Sequence, residues 1–253
     1  MQNINVKVLN PHVVDNSVQM MVCAARLTQR AHTIDTIEDF LELYNKSYSE
    51  NTIKAMSKLP HPTIQKFGVI NVVILGASRR FLAQITRHQN EVKFMSGSLQ
   101  YSNYKDYRRF VIPYNLLGKQ DLITKYLDGC SKSMELYNEL NSLGLDNDSC
   151  GFVAPQSLRN VLIISATPYQ WKHMIAQRTC RRNSDETRYV MLKVWEELYK
   201  LSPELFAMDT TGPFCCRDYC KEGKMGCLKP IKATTPTEIL KEDFPLCEVE
   251  NEN

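Results

Sequence analysis

The chain carries no glycine-rich phosphate loop, no internal repeat and no low-complexity tract. The glycine-based ways of holding a nucleotide phosphate at a helix start are therefore missing, and solenoid organisation is excluded. No apolar run approaches the roughly 18 residues that cross a bilayer, and the opening Met1-Gln2-Asn3-Ile4-Asn5 has neither the charged nor the apolar region of a secretion signal. A cytoplasmic protein with no membrane partner is the expectation. Neither sign of charge dominates: 31 basic and 28 acidic residues leave a net +3. No global field argues for nucleic acid, so any basic site must be local.

Nine cysteines are present, but they lack the pattern of a disulfide framework. The number is odd, and Cys23, Cys130, Cys150, Cys180 and Cys247 are dispersed, which fits reduced thiols. Cys215, Cys216, Cys220 and Cys227 cluster, and thiolates suit tetrahedral zinc, yet no Cys-x2-Cys pair occurs among them. Reduced cysteines in a packed tail, with no metal, are expected; zinc on those four is the alternative.

What the chain does have is an ordinary globular composition, 43% hydrophobic and 23% charged, with enough length for a sizeable core. Val6–Leu9 reads as a short strand, and Thr36 caps a helix with apolar residues at Ile37, Phe40, Leu41 and Tyr44. The β-branched run 69–75 is a strand entering a turn at Gly76, after which Ser78 caps a further helix. On that helix Gln84, Arg87, His88 and Glu91 share a polar face at i, i+3, i+4 and i+7. A long helix over 119–143 ends at Gly144, residues 146–149 form a loop, and 160–164 is a strand. Thr167-Pro168 opens one helix that runs on through the apolar stripe Met191, Val194, Trp195 and Leu198. Strands and long helices without regular alternation predict an α+β fold, one domain over 1–230 that includes the Cys-rich segment 212–227, with 231–253 a surface extension.

The segment Gln84-Ile85-Thr86-Arg87-His88-Gln89, followed by Ser98-Leu99-Gln100-Tyr101, puts an amide, a guanidinium and an imidazole just ahead of a serine–tyrosine loop. It resembles the flavin-dependent thymidylate synthase signature, in which a glutamine precedes Arg-His-Arg and a Ser-x-Arg-Tyr loop follows. Gln177-Arg178-Thr179-Cys180-Arg181-Arg182 through Glu186 and Arg188 is similar to that family's Arg-x-Cys-x-Arg-Ala-Gln-Trp-Glu-Ile-Arg. Gly212-Pro213-Phe214-Cys215 and Cys220-Lys221-Glu222-Gly223-Lys224-Met225-Gly226-Cys227 resemble the tail of some bacterial members, and Gly76-Ala77-Ser78-Arg79 resembles the family's Gly-Val-Ser-Arg lead-in. Three motifs in order span roughly 60–230.

The resemblance implies a mixed or antiparallel sheet with long flanking helices, and a homotetramer whose sites lie between subunits. It implies reductive methylation of deoxyuridylate (dUMP) at carbon 5, with methylenetetrahydrofolate as carbon donor, FAD as hydride carrier and NADPH as reductant. By residue it makes Arg178 the catalytic cation beside the uracil ring, and assigns Gln84, Arg87, Ser98, Leu99, Gln100, Arg159 and Arg178 to the nucleotide. It assigns His61, Arg87, His88, Gln89 and Arg182 to the flavin. Arginine's planar fork suits a phosphate, but Arg87 can also be read as a solvated helix charge and His88 as a core histidine. Arg181 is expected to pair with Asp185 at i+4. Four departures bear on ligand choice: Gln89 and Gln100 stand where the family has arginines, and Thr167 and Tyr169 where it has a flavin-binding asparagine and arginine. The alternatives are a paralogue acting on another pyrimidine nucleotide and a flavin-free nucleotide-binding protein.

Overall fold

A computed structural model describes residues 1–217 and 219–247. Within them a four-stranded antiparallel sheet is formed by β1 (Asn5–Val8), β2 (Ile70–Ser78), β3 (Val92–Ser96) and β4 (Arg159–Ala166), in the order β1-β2-β4-β3. The α+β expectation holds, and the sheet is antiparallel throughout.

The strands alternate. Val72 and Ile74 of β2 and Leu162 and Ile164 of β4 point into one core with Trp171, Leu192 and Trp195, as period-2 patterning requires. The opposite face stays open: Val73, Ile163 and Met95 align across β2, β4 and β3, beside Leu75 opposite Val161. Met95 is 72% exposed there. Gly76, at φ +82°, forms the bulge that shifts the register between Leu75 and Ala77, and a Cβ on it would lie 3.0 Å from the Asn3 carbonyl.

The helices are α1 (His12–Arg30), α2 (Ile37–Asn45), α3 (Glu50–Lys58), α4 (Arg79–Ile85), α5 (Gln120–Ser142), α6 (Asn147–Gly151), α7 (Pro168–Arg178), α8 (Asp185–Leu201), α9 (Met208–Thr211) and α10 (Pro236–Asp243). Helix α1, whose apolar stripe Val14, Val18, Met21, Val22 and Ala25 is buried, has no counterpart among the sequence expectations. A satellite cluster under α5, built on Met134, Tyr137, Cys150 and Leu158, carries the 98–107 loop.

Four sequence expectations need correction, the first being residues 146–149, which are not a loop: Asp146 accepts the Ser149 N–H at 2.8 Å and caps α6. Helix α4 ends at Ile85, because the chain must turn within six residues to enter β3 at Val92 opposite Ala166; Glu91 sits at φ +53° in that turn and pairs with Lys66 at 2.6 Å. The four-residue polar face is therefore not one helical face.

The long helix expected from Thr167 onward is two helices. Side chains meet the carbonyls at the end of α7 and just past it: Thr179 Oγ1 donates to Ile175 O (2.7 Å), beside the Thr179 N–H, Asn183 Nδ2 to Gln177 O (2.7 Å) and Arg188 Nε to Thr179 O (3.4 Å). Those donors stop the helix where no glycine or proline does. The predicted Arg181–Asp185 pair, which needed a continuous helix, is replaced by Arg181–Asp243.

Residues 231–247 are not a surface extension. Thr235 caps α10, Pro236 begins it, and Ile239, Leu240 and Phe244 are buried against α8, with Phe244 edge-on to Tyr189 at 5.4 Å. Residues 248–253 lie outside the described part. Among the described residues no helix is long and apolar enough to cross a membrane.

Candidate active site

Ser78 starts the site. Its hydroxyl accepts the Phe81 N–H at 3.1 Å to cap α4, and it donates through Oγ (2.6 Å) and N (2.7 Å) to the Glu186 carboxylate. Burial pushes the Glu186 carboxyl up from its ordinary value, opposed by those two hydrogen bonds. The first turn of α8 is thereby bound to the first turn of α4. One turn further on, Gln84 Oε1 accepts Ser184 Oγ at 2.9 Å and Thr187 Oγ1 at shorter range.

With α4 and α8 joined, the last residue of α7 is clamped between them. Arg178 Nη2 donates to the Gln84 carbonyl at 3.0 Å and Nε donates to His88 Nε2 at 2.9 Å. Its Nη1 has no protein acceptor among the described residues. Burial and then nearby Arg87 lower the arginine's pKa from its ordinary value, which leaves it fully cationic at neutral pH.

His88 is 7% exposed. Burial, then the Arg178 charge, then His173 5.9 Å away edge-on, push its pKa down to about 4. A neutral ring that accepts at Nε2 carries its proton on Nδ1.

Arg178 opens onto a cavity of about 950 Å³ between the end of α7, the 179–183 turn and the Cys-rich segment. Arg182, Lys221, Lys229 and Lys232 line it with Glu222, and Arg181 lines it while held by Asp243, so its lining is strongly cationic. Asp243 also pairs with Arg188 at short range, so one carboxylate from α10 fixes both arginines around the 179–183 turn.

The residues expected at the site divide into two sets. Gln84, His88, Arg178 and Arg182 lie at this cavity or its frame, and Arg87 is exposed beside Arg178. Gln89 and His61 are also exposed. Ser98, Leu99 and Gln100 belong to the other part of the chain. Ser98 Oγ accepts the N–H groups of Gln100 (3.1 Å) and Tyr101 (3.3 Å), and Leu99 packs on Gly151 in the α5 cluster.

Arg159 is occupied: Nη2 donates to Gln2 O at 2.9 Å and Nε to Phe110 O at 3.2 Å. Within one chain it ties the segment ahead of β1 to the start of β4.

Among the described residues no three His, Cys, Asp or Glu side chains are grouped to hold a metal ion. Cys215, Cys216, Cys220 and Cys227 are free thiols, and burial followed by Cys215 pushes the Cys216 thiol up to about 12.

Sequence reading missed Ser184, Thr187, Lys172, His173 and Asp243. Ser-x-x-Thr at the head of α8 was a visible cap-like signal, and Lys172 was legible as a lysine beside Trp171 and within reach of Ile175 on an apolar face.

A family model described as thymidylate synthase complementing protein matches residues 12–204. Flavin-dependent thymidylate synthases of Thermococcus onnurineus and Thermococcus kodakarensis are 28% and 29% identical, each over 179 residues that cover 67% of this chain and 72% of theirs. Among solved structures, Thymidylate Synthase X from Helicobacter pylori with FAD and dUMP superposes with a TM-score of 0.61 at 15% identity, covering 80% of this chain and 97% of that one. The UMP/dUMP methylase PolB of Streptomyces cacaoi, bound with 5-Br dUMP, gives 0.64 at 16% identity, covering 83% and 96%. These two share the fold. The chain belongs to the flavin-dependent thymidylate synthase family.

Proposed function

We propose that the protein is a flavin-dependent thymidylate synthase that methylates dUMP at carbon 5, with methylenetetrahydrofolate as carbon donor and NADPH as reductant. The observation that carries this reading is Arg178, a fixed cation with one free N–H edge at the mouth of a large cationic cavity. In a partly desolvated site a held guanidinium stabilises negative charge that builds on a pyrimidine ring as its carbon 5 attacks an electrophile. Because His88 and the Gln84 carbonyl already hold two of its donors, the cation needs no reorganisation when that charge develops.

Bound FAD would supply the hydride that completes the methyl group. The donor set fits it: Arg178, Arg182, Lys221, Lys229 and Lys232 face one cavity, which suits a diphosphate-bearing ligand. His88, neutral and turned toward Arg178, keeps the arginine in place and adds no competing charge.

The assembly we propose is a homotetramer with sites shared between subunits. Two observations support it. The Ser98–Tyr101 loop, through Leu99, packs on α5 and α6 and does not line the cavity at Arg178, so a second copy would have to supply it. The exposed apolar rows Leu75, Met95, Val161 and Ile163 also need a cover. We place the enzyme in the cytosol.

A second reading, methylation of another pyrimidine nucleotide, is favoured by Gln100, which removes a cation from the loop facing phosphate and sugar in the family pattern. The visible absorption spectrum of purified protein with added FAD, followed by dUMP titration, tests the first reading. A flavin band that shifts with dUMP supports it; a shift with UMP alone favours the second; no flavin binding removes both.

A further inference from the structure

On the other side of His173 lies a second cavity of about 550 Å³, bounded by α7, residues 57–65 and residues 209–221. Its lining gathers three polar groups that the fold leaves short of partners. Lys172 is 6% exposed, and its ammonium, with three donors, meets one protein acceptor among the described residues, Gln65 Oε1 at 2.8 Å. Arg217 donates from Nη2 to Thr210 O at 2.8 Å, while its Nε is buried without a partner among the described residues. Ser57, 7% exposed, has a buried hydroxyl that also lacks a partner among them.

A buried donor with no acceptor is costly, and a buried cation without an anion more so. The Asp209 carboxylate in the lining is already paired by Lys58 at 2.6 Å. What would satisfy all three groups is an anionic acceptor with two oxygens, placed at the tip of Lys172.

We propose that Lys172 is a carbamylation site, whose amine takes up carbon dioxide to form a carbamate held by Arg217 and Ser57. The neutral Nζ attacks the carbon of CO2, a C–N bond forms, one C=O electron pair moves onto oxygen, and a proton leaves Nζ for solvent. The product, –NH–COO⁻, keeps one N–H for Gln65 Oε1. It gains two oxygens, one to accept from Arg217 Nε and one from Ser57 Oγ. No oxidant, flavin or nucleotide is needed.

The surroundings favour both the reactant and the product. Burial, then Arg217, lower the Lys172 pKa to about 7, against Asp209, so the amine is neutral for much of the time near neutral pH. Arg217, Lys221 and Lys58 line the cavity, so the charges that disfavour an ammonium there stabilise a carbamate; Asp209 opposes them, and Tyr169 and His173 complete the titratable lining. Because His173, Ala176, Phe214 and Lys221 line both cavities, a positive charge is exchanged for a negative one beside the cavity at Arg178.

The test is carbon nuclear magnetic resonance on the full chain in isotopically labelled bicarbonate at about pH 8, where the amine is mostly neutral. Trapping with triethyloxonium, which converts a carbamate to its ethyl ester, and peptide mass spectrometry then locate the adduct. Wild-type protein should show a carbamate signal and an ester on Lys172. Lys172→Arg, which keeps a cation but is no nucleophile, should lose both. Arg217→Gln should raise the bicarbonate concentration for half occupancy by about tenfold or more, as loss of a charged hydrogen bond implies. Ser57→Ala should raise it by a smaller factor, and it removes a hydroxyl without a partner among the described residues, so folding is not at stake.

No carbamate in folded wild-type protein, an ester on other amines but not on Lys172, or unchanged half occupancy in both Arg217→Gln and Ser57→Ala would each overturn the site. Thermal stabilisation by bicarbonate that leaves no ester and survives in Lys172→Arg would mean a bound anion instead, and would overturn it as well.

Discussion

Arg178 donates through Nε into the lone pair of His88 Nε2 at 2.9 Å, so the imidazole can hold its place only while it is neutral. Protonation would put two cationic N–H groups face to face.

The pH dependence follows from that pair. Unfolded, His88 titrates at its ordinary 6.5; folded, it titrates at about 4. Between these values the unfolded chain binds more protons, so stability is highest above pH 6.5 and falls as pH drops toward 4. Urea denaturation across this range should show the loss, and His88→Gln should flatten it. A variant with the wild-type slope would remove His88 as its cause.

Arg178→Ala should abolish turnover while the far-ultraviolet circular dichroism and melting temperature stay close to wild type, because the residue is half-buried at a helix end rather than in the core. Near-normal activity in this variant would refute its catalytic assignment.

Asp243→Asn should destabilise the fold by about 3 kcal/mol, since removing the carboxylate leaves Arg181 and Arg188 without their shared buried anion. Chemical denaturation measures it. Loss of less than about 1 kcal/mol would mean that solvent reaches the pair freely.

Ile163→Glu, at the middle of the open sheet face, should dissociate the proposed tetramer without unfolding the chain, because the side chain points away from the core. Light scattering after gel filtration should show the smaller species; an unchanged mass would mean that assembly uses another face.

The central strands were legible because Ile70–Ile74 and Val161–Ile164 are runs of β-branched and leucine residues ending in recognisable punctuation, and Ser78 was legible as a cap. Gln84, His88 and Arg178 were each singled out through family motifs, but that Arg178 bonds to the other two was not legible, since only tertiary packing joins them. The break after Arg178 was not legible, because apolar positions continue on both sides and the stop is imposed by Asn183 and Arg188, whose partners are set by tertiary packing. Helix α10 was hidden for a similar reason: its composition is mostly polar, and only Pro236, Ile239 and Leu240 of it are buried, with Phe244 just past its end. The cationic cavity beside Lys172 joins positions far apart in sequence, so no local pattern could reveal it.

Asp243 stands 62 positions after Arg181, the turn residue it holds. During synthesis the helix carrying Arg178 leaves the ribosome well before its brace does. The nascent protein should therefore pass through an interval in which its sheet is complete but Arg178 borders an unset turn, and a stop codon ahead of residue 236 should leave that interval permanent.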